Sequence, residues 1–253
     1  MQILLACAKT MVDSTRVATP AVSNPRFARE AGEFAIYMMQ LSASDIAKML
    51  RCSSAIAAQT LRRYGSFFEQ SELLPAVLAY HGQAYRGLRA EEFSLDDMAF
   101  AQDHLHITSF LYGLLRPLDM IHPYRMEGNA ELAPAEGENL FAYWRKRLTQ
   151  CLIDAVKADD GVLVHLATEE MEHLFDWRRV KQEVRMIQPQ FLVRKDGKLK
   201  VVTVYAKTCR GAMTRHIITN RLSTTESLAT FCFEGFEFSP ENSTPDTPVF
   251  ICE

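Results

Sequence analysis

The chain predicts a mixed α/β fold of the α+β kind: a single domain over residues 1–253, with a mixed sheet and surrounding helices. Three observations carry that expectation. Apolar residues recur at helical spacing up to about residue 157, strand-like runs dominate beyond it, and no Gly-, Ser- or Pro-rich linker separates the two regions. A length of 253 residues suits one large domain and buries a core without a metal or disulfide staple.

Taken in order, residues 2–7 read as a short buried strand. After a polar loop from Asp13 to Asn24, Pro25 stands at a first helical position behind Asn24 as a cap. Phe27, Ala31, Phe34, Ala35, Met38 and Leu41 then share one helical face. Two short helices, 44–50 and 54–64, follow around the turn Arg51-Cys52-Ser53, so a helical subdomain over about 25–85 is an alternative partition. Further helices are expected at 71–81, at 95–106 behind the Ser94-x-x-Asp97 start signal, and at 138–157. Tyr112 to Arg125 reads as an ordered proline-rich loop. Residues 162–167 form an apolar run suited to a central strand. Runs at 189–194 and 199–205 flank Asp196-Gly197, a strong hairpin signal. A helix over 206–221 and strands near 229–238 and 248–252 complete the pattern, with a surface loop over 239–248.

Hydrophobic residues make up 48% of the chain and charged residues 23%, which excludes a disordered, collagenous or coiled-coil protein. The six cysteines include no C-x-x-C pair and are expected to be core thiols in a reducing compartment. The first apolar stretch is too short for a signal segment and is interrupted by Lys9. No run reaches the roughly 20 apolar residues that span a bilayer, so a cytoplasmic protein with no membrane partner is expected.

Charge is unevenly spread. Between Arg194 and Arg221 stand eight basic residues and one acid, Asp196, a local +7 within a chain whose total is −3. Such separation points to an anionic partner. On a helical projection Lys207, Arg210, Thr214 and Arg221 fall within roughly 60° of one another, hemmed by apolar residues on both flanks. That arrangement predicts a basic stripe lining a concave groove. Lys9 and Thr10 lie just past the first strand, where strand ends form ligand sites, and Arg116 and Arg125 bracket the proline-rich loop. The candidate phosphate contacts are therefore Lys9, Thr10, Arg116, Arg125, Lys207, Arg210, Arg215 and Arg221.

Several segments carry a resemblance: Ala8-Lys9-Thr10, Tyr85-Arg86-Gly87-Leu88, the run Leu111-Tyr112-Gly113-Leu114-Leu115-Arg116-Pro117-Leu118-Asp119, Pro123-Tyr124-Arg125, Tyr205-Ala206-Lys207 through Arg210-Gly211 to Asn220-Arg221-Leu222, and Glu234-Gly235-Phe236. Together they resemble the bacterial peroxide stress protein YaaA family. The resemblance implies a cytosolic protein of the hydrogen peroxide response that limits damage to DNA and protein when iron is high. It also implies DNA binding, a basic concave face and a helix–hairpin–helix element. The 44–64 helix pair would be that element. Its turn has no glycine, so phosphate contact would come from Arg51, Ser53, Ser54, Arg62 or Arg63. Two departures stand out: Ala6 and Cys7 replace the Ser-Pro of the family's usual S-P-A-K-T, and Thr168-Glu169-Glu170-Met171 stands for Ser-x-Glu-Tyr.

No catalytic residue, metal or cofactor is assigned from these features. H-E-x-x-H, C-x-x-C, P-loop and G-x-G-x-x-G spacings do not occur. Cys209 neighbours two cations, but its helical angle points to the packed flank. The leading expectation is DNA held with little sequence specificity, with a log–log salt slope of roughly −4 to −5. The alternative is an enzyme acting on a nucleotide or other phosphorylated small molecule, with acids drawn from Asp119, Glu127 or Glu234. A weaker third reading is iron held by carboxylates and histidines, with Glu169, Glu170 and Glu172 near His173, and His104-x-His106 and the pair His165 and His173 as the candidate clusters.

Overall fold

Wholly buried Ile3, Leu4 and Leu5 make the first strand, β1 (Gln2–Leu5), the middle of the main sheet. The computed structural model describes residues 1–70 and 73–253. After the long loop come α1 (Ala28–Met39), α2 (Ala43–Met49) and α3 (Ser54–Gly65). Ser42 and Ser53 cap the last two, each side-chain oxygen accepting from a backbone N–H in the first turn. Arg51 turns the chain between them in the left-handed region (φ 47°), a conformation more often given to glycine.

Next are β2 (Leu74–Pro75), the single turn α4 (Ala76–Ala79), α5 (Gln83–Leu88) and α6 (Leu95–His104). Ser94 and Asp97 form the expected capping box. The helix then gives way directly to β3 (Leu105–Ser109), followed by β4 (Gly113–Leu115) and β5 (Met120–Ile121). The second half holds α7 (Leu140–Ala158), β6 (Val162–Leu166), α8 (Glu169–Glu172), α9 (Trp177–Glu183), β7 (Arg185–Ile187), β8 (Gln190–Lys195) and β9 (Lys198–Lys200). The chain ends in α10 (Thr203–Asn220), β10 (Glu237–Phe238) and β11 (Val249–Cys252).

The main sheet has the order β4-β3-β1-β6-β7, parallel except for β4. From β1 the chain builds outward to β3 on one side and to β6 on the other, so the strand order reverses at β1. A second sheet runs β10-β11-β8-β9, and β2 pairs with β5. The core residues of α1 to α3 belong to the same apolar cluster as the sheet. Phe34 packs edge-on against Tyr143 and Trp144, and the fully buried Trp144 donates its indole N–H to the Phe110 carbonyl at 2.8 Å. Burying side chains of this size contributes about 1.5–3 kcal/mol each.

Some expectations shift. The helix expected over 95–106 stops at His104, because Leu105 and Ile107 are claimed by pairing with Ile3 and Leu5. Of the helix expected over 71–81, residues 71 and 72 lie outside the described residues, and Leu74–Pro75 is strand with one helical turn behind it. The strand expected to reach 205 ends at Lys200, since α10 begins at Thr203. Within 229–238 only Glu237–Phe238 pairs as strand. Beyond those, α5, α9 and β7 are short elements held by tertiary packing rather than by strong local periodicity.

Candidate phosphate-binding site

Two glycines dictate how the cations of α10 are presented. A Cβ on Gly211 would lie 1.6 Å from the Ala84 carbonyl oxygen, and one on Gly87 2.1 Å from that of Thr208. Helices α5 and α10 thus cross in backbone contact. That crossing sets Lys207 and Arg210 beside the start of α5 and the carboxyl ends of the main-sheet strands.

There a cavity of about 290 Å³ opens. The segment after β1 (Ala6–Thr10), the start of α5 (Gly82–Tyr85), Tyr124–Met126 and the region after β6 form its walls, and Lys207 and Arg210 close the α10 side. Because the strand order reverses at β1, this is the position where open α/β sheets bind ligands. Much of the wall is apolar: Ala8, Tyr85, Phe110, Tyr124, Met126 and Leu166. Behind it Tyr124 is fixed by a buried hydroxyl chain, 2.7 Å to Ser109 and 2.8 Å to Tyr80.

The charged groups fall into two kinds. Lys9 Nζ stands 2.6 Å from Glu127 Oε2, and an Arg125 terminal nitrogen 2.8 Å from Glu127 Oε1, so one carboxylate already holds both cations. The Arg125 Nε, buried, has no hydrogen-bond partner. Lys207 and Arg210 differ. Among the described residues, neither terminal group meets a hydrogen-bond or ion-pair partner. Arg210 is half-buried, and desolvation pushes its pKa down, only partly opposed by the field of Glu169. Glu170 borders the cavity from the α8 side. Cys7 also borders it, but burial pushes its thiol up to about 12, so it remains protonated.

Lys9, Thr10, Arg125, Lys207 and Arg210 therefore come together. Arg116, Arg215 and Arg221 do not. Arg116 borders a cleft with Arg26, His106 and Asp119, by the start of β3 rather than the strand ends, and lies 3.9 Å from Asp119. Arg215 donates to the Arg89 carbonyl at 2.9 Å and pairs with Glu92 at 3.1 Å. Arg221 terminates α10 in the left-handed region and pairs with Asp97 at 2.7 Å over the Phe100 ring. The stripe seen on the helical projection breaks because Thr214 is wholly buried and Arg221 no longer follows the helix.

The helix-pair residues also separate. Arg63 binds Asp13 at 2.7 Å and the Met11 carbonyl, while Arg62 borders a shallow hollow with Gln59 and Pro123. Ser53 is spent on capping, and Arg51, Ser53 and Ser54 sit at the opposite end of α3, roughly 13 Å away along its axis. Cys209 is buried and its thiol pushed up to about 12, mainly by desolvation.

Neither the acids of the enzyme reading nor the iron residues assemble. Burial raises the Asp119 pKa, but Asp119 lies outside the cavity, accepting from Ser23 and the Arg116 N–H. His165 pairs with Glu172 at 3.0 Å, His106 with Gln2 and His104 with the Phe100 carbonyl. Among the described residues no three His, Cys, Asp or Glu side chains are grouped to hold a metal.

The sequence matches the peroxide stress protein YaaA family over residues 1–242. The chain belongs to that family. Relatives include a UPF0246 protein of Bacteroides thetaiotaomicron, 45% identical over 99% of this chain and 98% of its own. A UPF0246 protein of Bacteroides fragilis is 47% identical over 99% of this chain and 98% of its own, and one of Porphyromonas gingivalis is 43% identical over the whole of both. The YaaA-family segments Tyr85-Arg86-Gly87-Leu88, Pro123-Tyr124-Arg125 and Lys207 through Gly211 all reach the cavity or the helix crossing behind it. Thr168 and Met171, which stand for the Ser and Tyr of the Ser-x-Glu-Tyr pattern, border the cavity too, as do Ala6 and Cys7. Among the described residues, no helix is long and apolar enough to cross a membrane.

Proposed function

We propose that this member of the YaaA family serves the peroxide response by binding a nucleotide unit, its phosphate on Arg210 and Lys207 and its planar base against the apolar wall. DNA presents that unit, with little sequence preference. One observation carries the reading: a half-buried guanidinium with no protein partner, beside a partnerless lysine, at the edge of a cavity. Buried charge demands a counter-charge, and an anionic ligand supplies it. Acting in the cytoplasm, such a protein limits iron-driven peroxide damage by occupying DNA.

Because Glu127 already holds Lys9 and Arg125, only two cations are free to displace counter-ions. The log–log salt slope is therefore expected near −1.5 to −2, shallower than the roughly −4 to −5 expected from the sequence. Fluorescence anisotropy with single-stranded and duplex DNA across a salt series measures it. The double variant Lys207→Ala/Arg210→Ala is expected to bring the slope close to zero. Affinity that is flat with salt in the wild type, or unchanged in the double variant, refutes the reading.

A second reading is favoured by the cavity's small volume and its place at the strand-order reversal: an enzyme acting on a free nucleotide or other phosphorylated small molecule. Turnover of a mononucleotide by the full chain would decide for it.

A further inference from the structure

We propose that the cavity selects a terminal phosphate, a phosphomonoester, over a phosphodiester inside a strand. The inference deepens the nucleotide reading above and rests on it.

Charge matching is the first argument. Lys9, Arg125, Lys207 and Arg210 stand against two carboxylates, Glu127 beneath the first pair and Glu170 at the rim. Lys207 and Arg210 make no ion pair, so two unpaired positive charges face the ligand. Glu170 and Glu169, the acid whose field reaches Arg210, are both exposed, where solvent and salt screen them. A phosphomonoester carries close to two negative charges at neutral pH because its second pKa is about 6. A diester carries one, and would leave one of the two cations unmatched.

Donor geometry is the second. Arg210 offers a planar fork suited to two oxygens of one phosphate, and Lys207, one helical turn away, a compact third donor. A terminal phosphate presents three oxygens free of ester bonds; an internal diester presents two. The third argument is room. At about 290 Å³ the cavity is at the low end of small-molecule sites, which suits one end group rather than a strand with phosphates on both sides.

Shared chemistry leaves two sources: a free mononucleotide, or the phosphorylated end of a broken strand. The test is competition anisotropy on the full chain, using a labelled 5′-phosphorylated oligothymidine displaced by 5′-phosphorylated, 3′-phosphorylated or unphosphorylated oligothymidine, by thymidine monophosphate, or by thymidine. A phosphorylated competitor is expected to outcompete its unphosphorylated counterpart by at least about tenfold. Equal potency of monophosphate and phosphorylated strand assigns the free nucleotide; selective potency of the strand assigns its end. Lys207→Gln, at an exposed position, is expected to bring the preference toward unity without unfolding the chain. Equal competition with and without the terminal phosphate overturns this inference and leaves the nucleotide reading standing. No binding of the labelled strand at all overturns both.

Discussion

Arg210 holds a guanidinium half out of water with no carboxylate or carbonyl on it, an arrangement that costs the fold free energy until an anion arrives. Replacing it with Met keeps the packing volume of the stem and removes the charge. Arg210→Met is therefore expected to leave the thermal midpoint of the free protein unchanged or raised, while weakening phosphate binding at least about tenfold. Scanning calorimetry beside the binding assay checks it, and a clear fall in the midpoint would make Arg210 a structural residue. The same scale separates Arg210 from Arg215 and Arg221, whose groups are consumed by Glu92 and Asp97. Nothing in their spacing distinguishes them; only the partners do. The thiols tell a similar story. Cys7 and Cys209 stand beside cations in the chain or cavity, yet desolvation, aided by the fields of Glu170 on Cys7 and Glu234 on Cys209, keeps both protonated.

Between elements, the α5–α10 crossing decides where the cations point. Gly211→Ala is expected to cost at least about 3 kcal/mol in urea unfolding, because the methyl would collide with backbone that cannot move aside. Gly65 supplies the contrast. It closes α3 with nothing within 4 Å of its would-be Cβ, and Gly65→Ala is expected to stabilise by up to about 1 kcal/mol. Equal effects of the two changes would mean that the crossing is loose. Legibility at this scale followed local chemistry. The Ser94-x-x-Asp97 signal announced α6, apolar positions announced α2 and α3, and Asp196-Gly197, both at positive φ, announced the β8–β9 hairpin. Helix α5, six residues long, and α9 gave little periodic signal, and β3 was absorbed into a helix because its neighbours in the sheet lie far away in the chain.

For the molecule as a whole, pH reports on how completely the sheet is sealed. His106, packed at the start of β3 against Gln2, is held down to about 4 mainly by desolvation, with the fields of Arg116 and His104 adding to it. Above pH 6.5 the imidazole is neutral in both folded and unfolded chains and contributes no pH dependence. Below it, the unfolded chain takes up a proton that the folded one refuses until about pH 4. Stability is therefore expected to fall through that window as pH drops, by at most about 3 kcal/mol from this residue, and then to level off. His165, its pKa also lowered by burial, adds to the same trend. Denaturant unfolding at pH 7.5 and 5 measures the fall, and His106→Gln is expected to flatten it; an unchanged slope in that variant would show that the His106 environment is open to water.

Composition, periodicity and capping chemistry by themselves determined a mixed α/β chain, its longest helices, its central strands and a concentration of positive charge between Arg194 and Arg221. Those properties are local, written in residues a few positions apart. Only the tertiary structure decided which cations meet, because Lys9, Arg125 and Arg210 are brought to one cavity by sheet pairing and a two-glycine helix crossing. It alone also showed that Glu127 pairs with both Lys9 and Arg125 and leaves Arg210 without an ion pair, since ion pairing depends on distances in space that spacing along the chain does not encode.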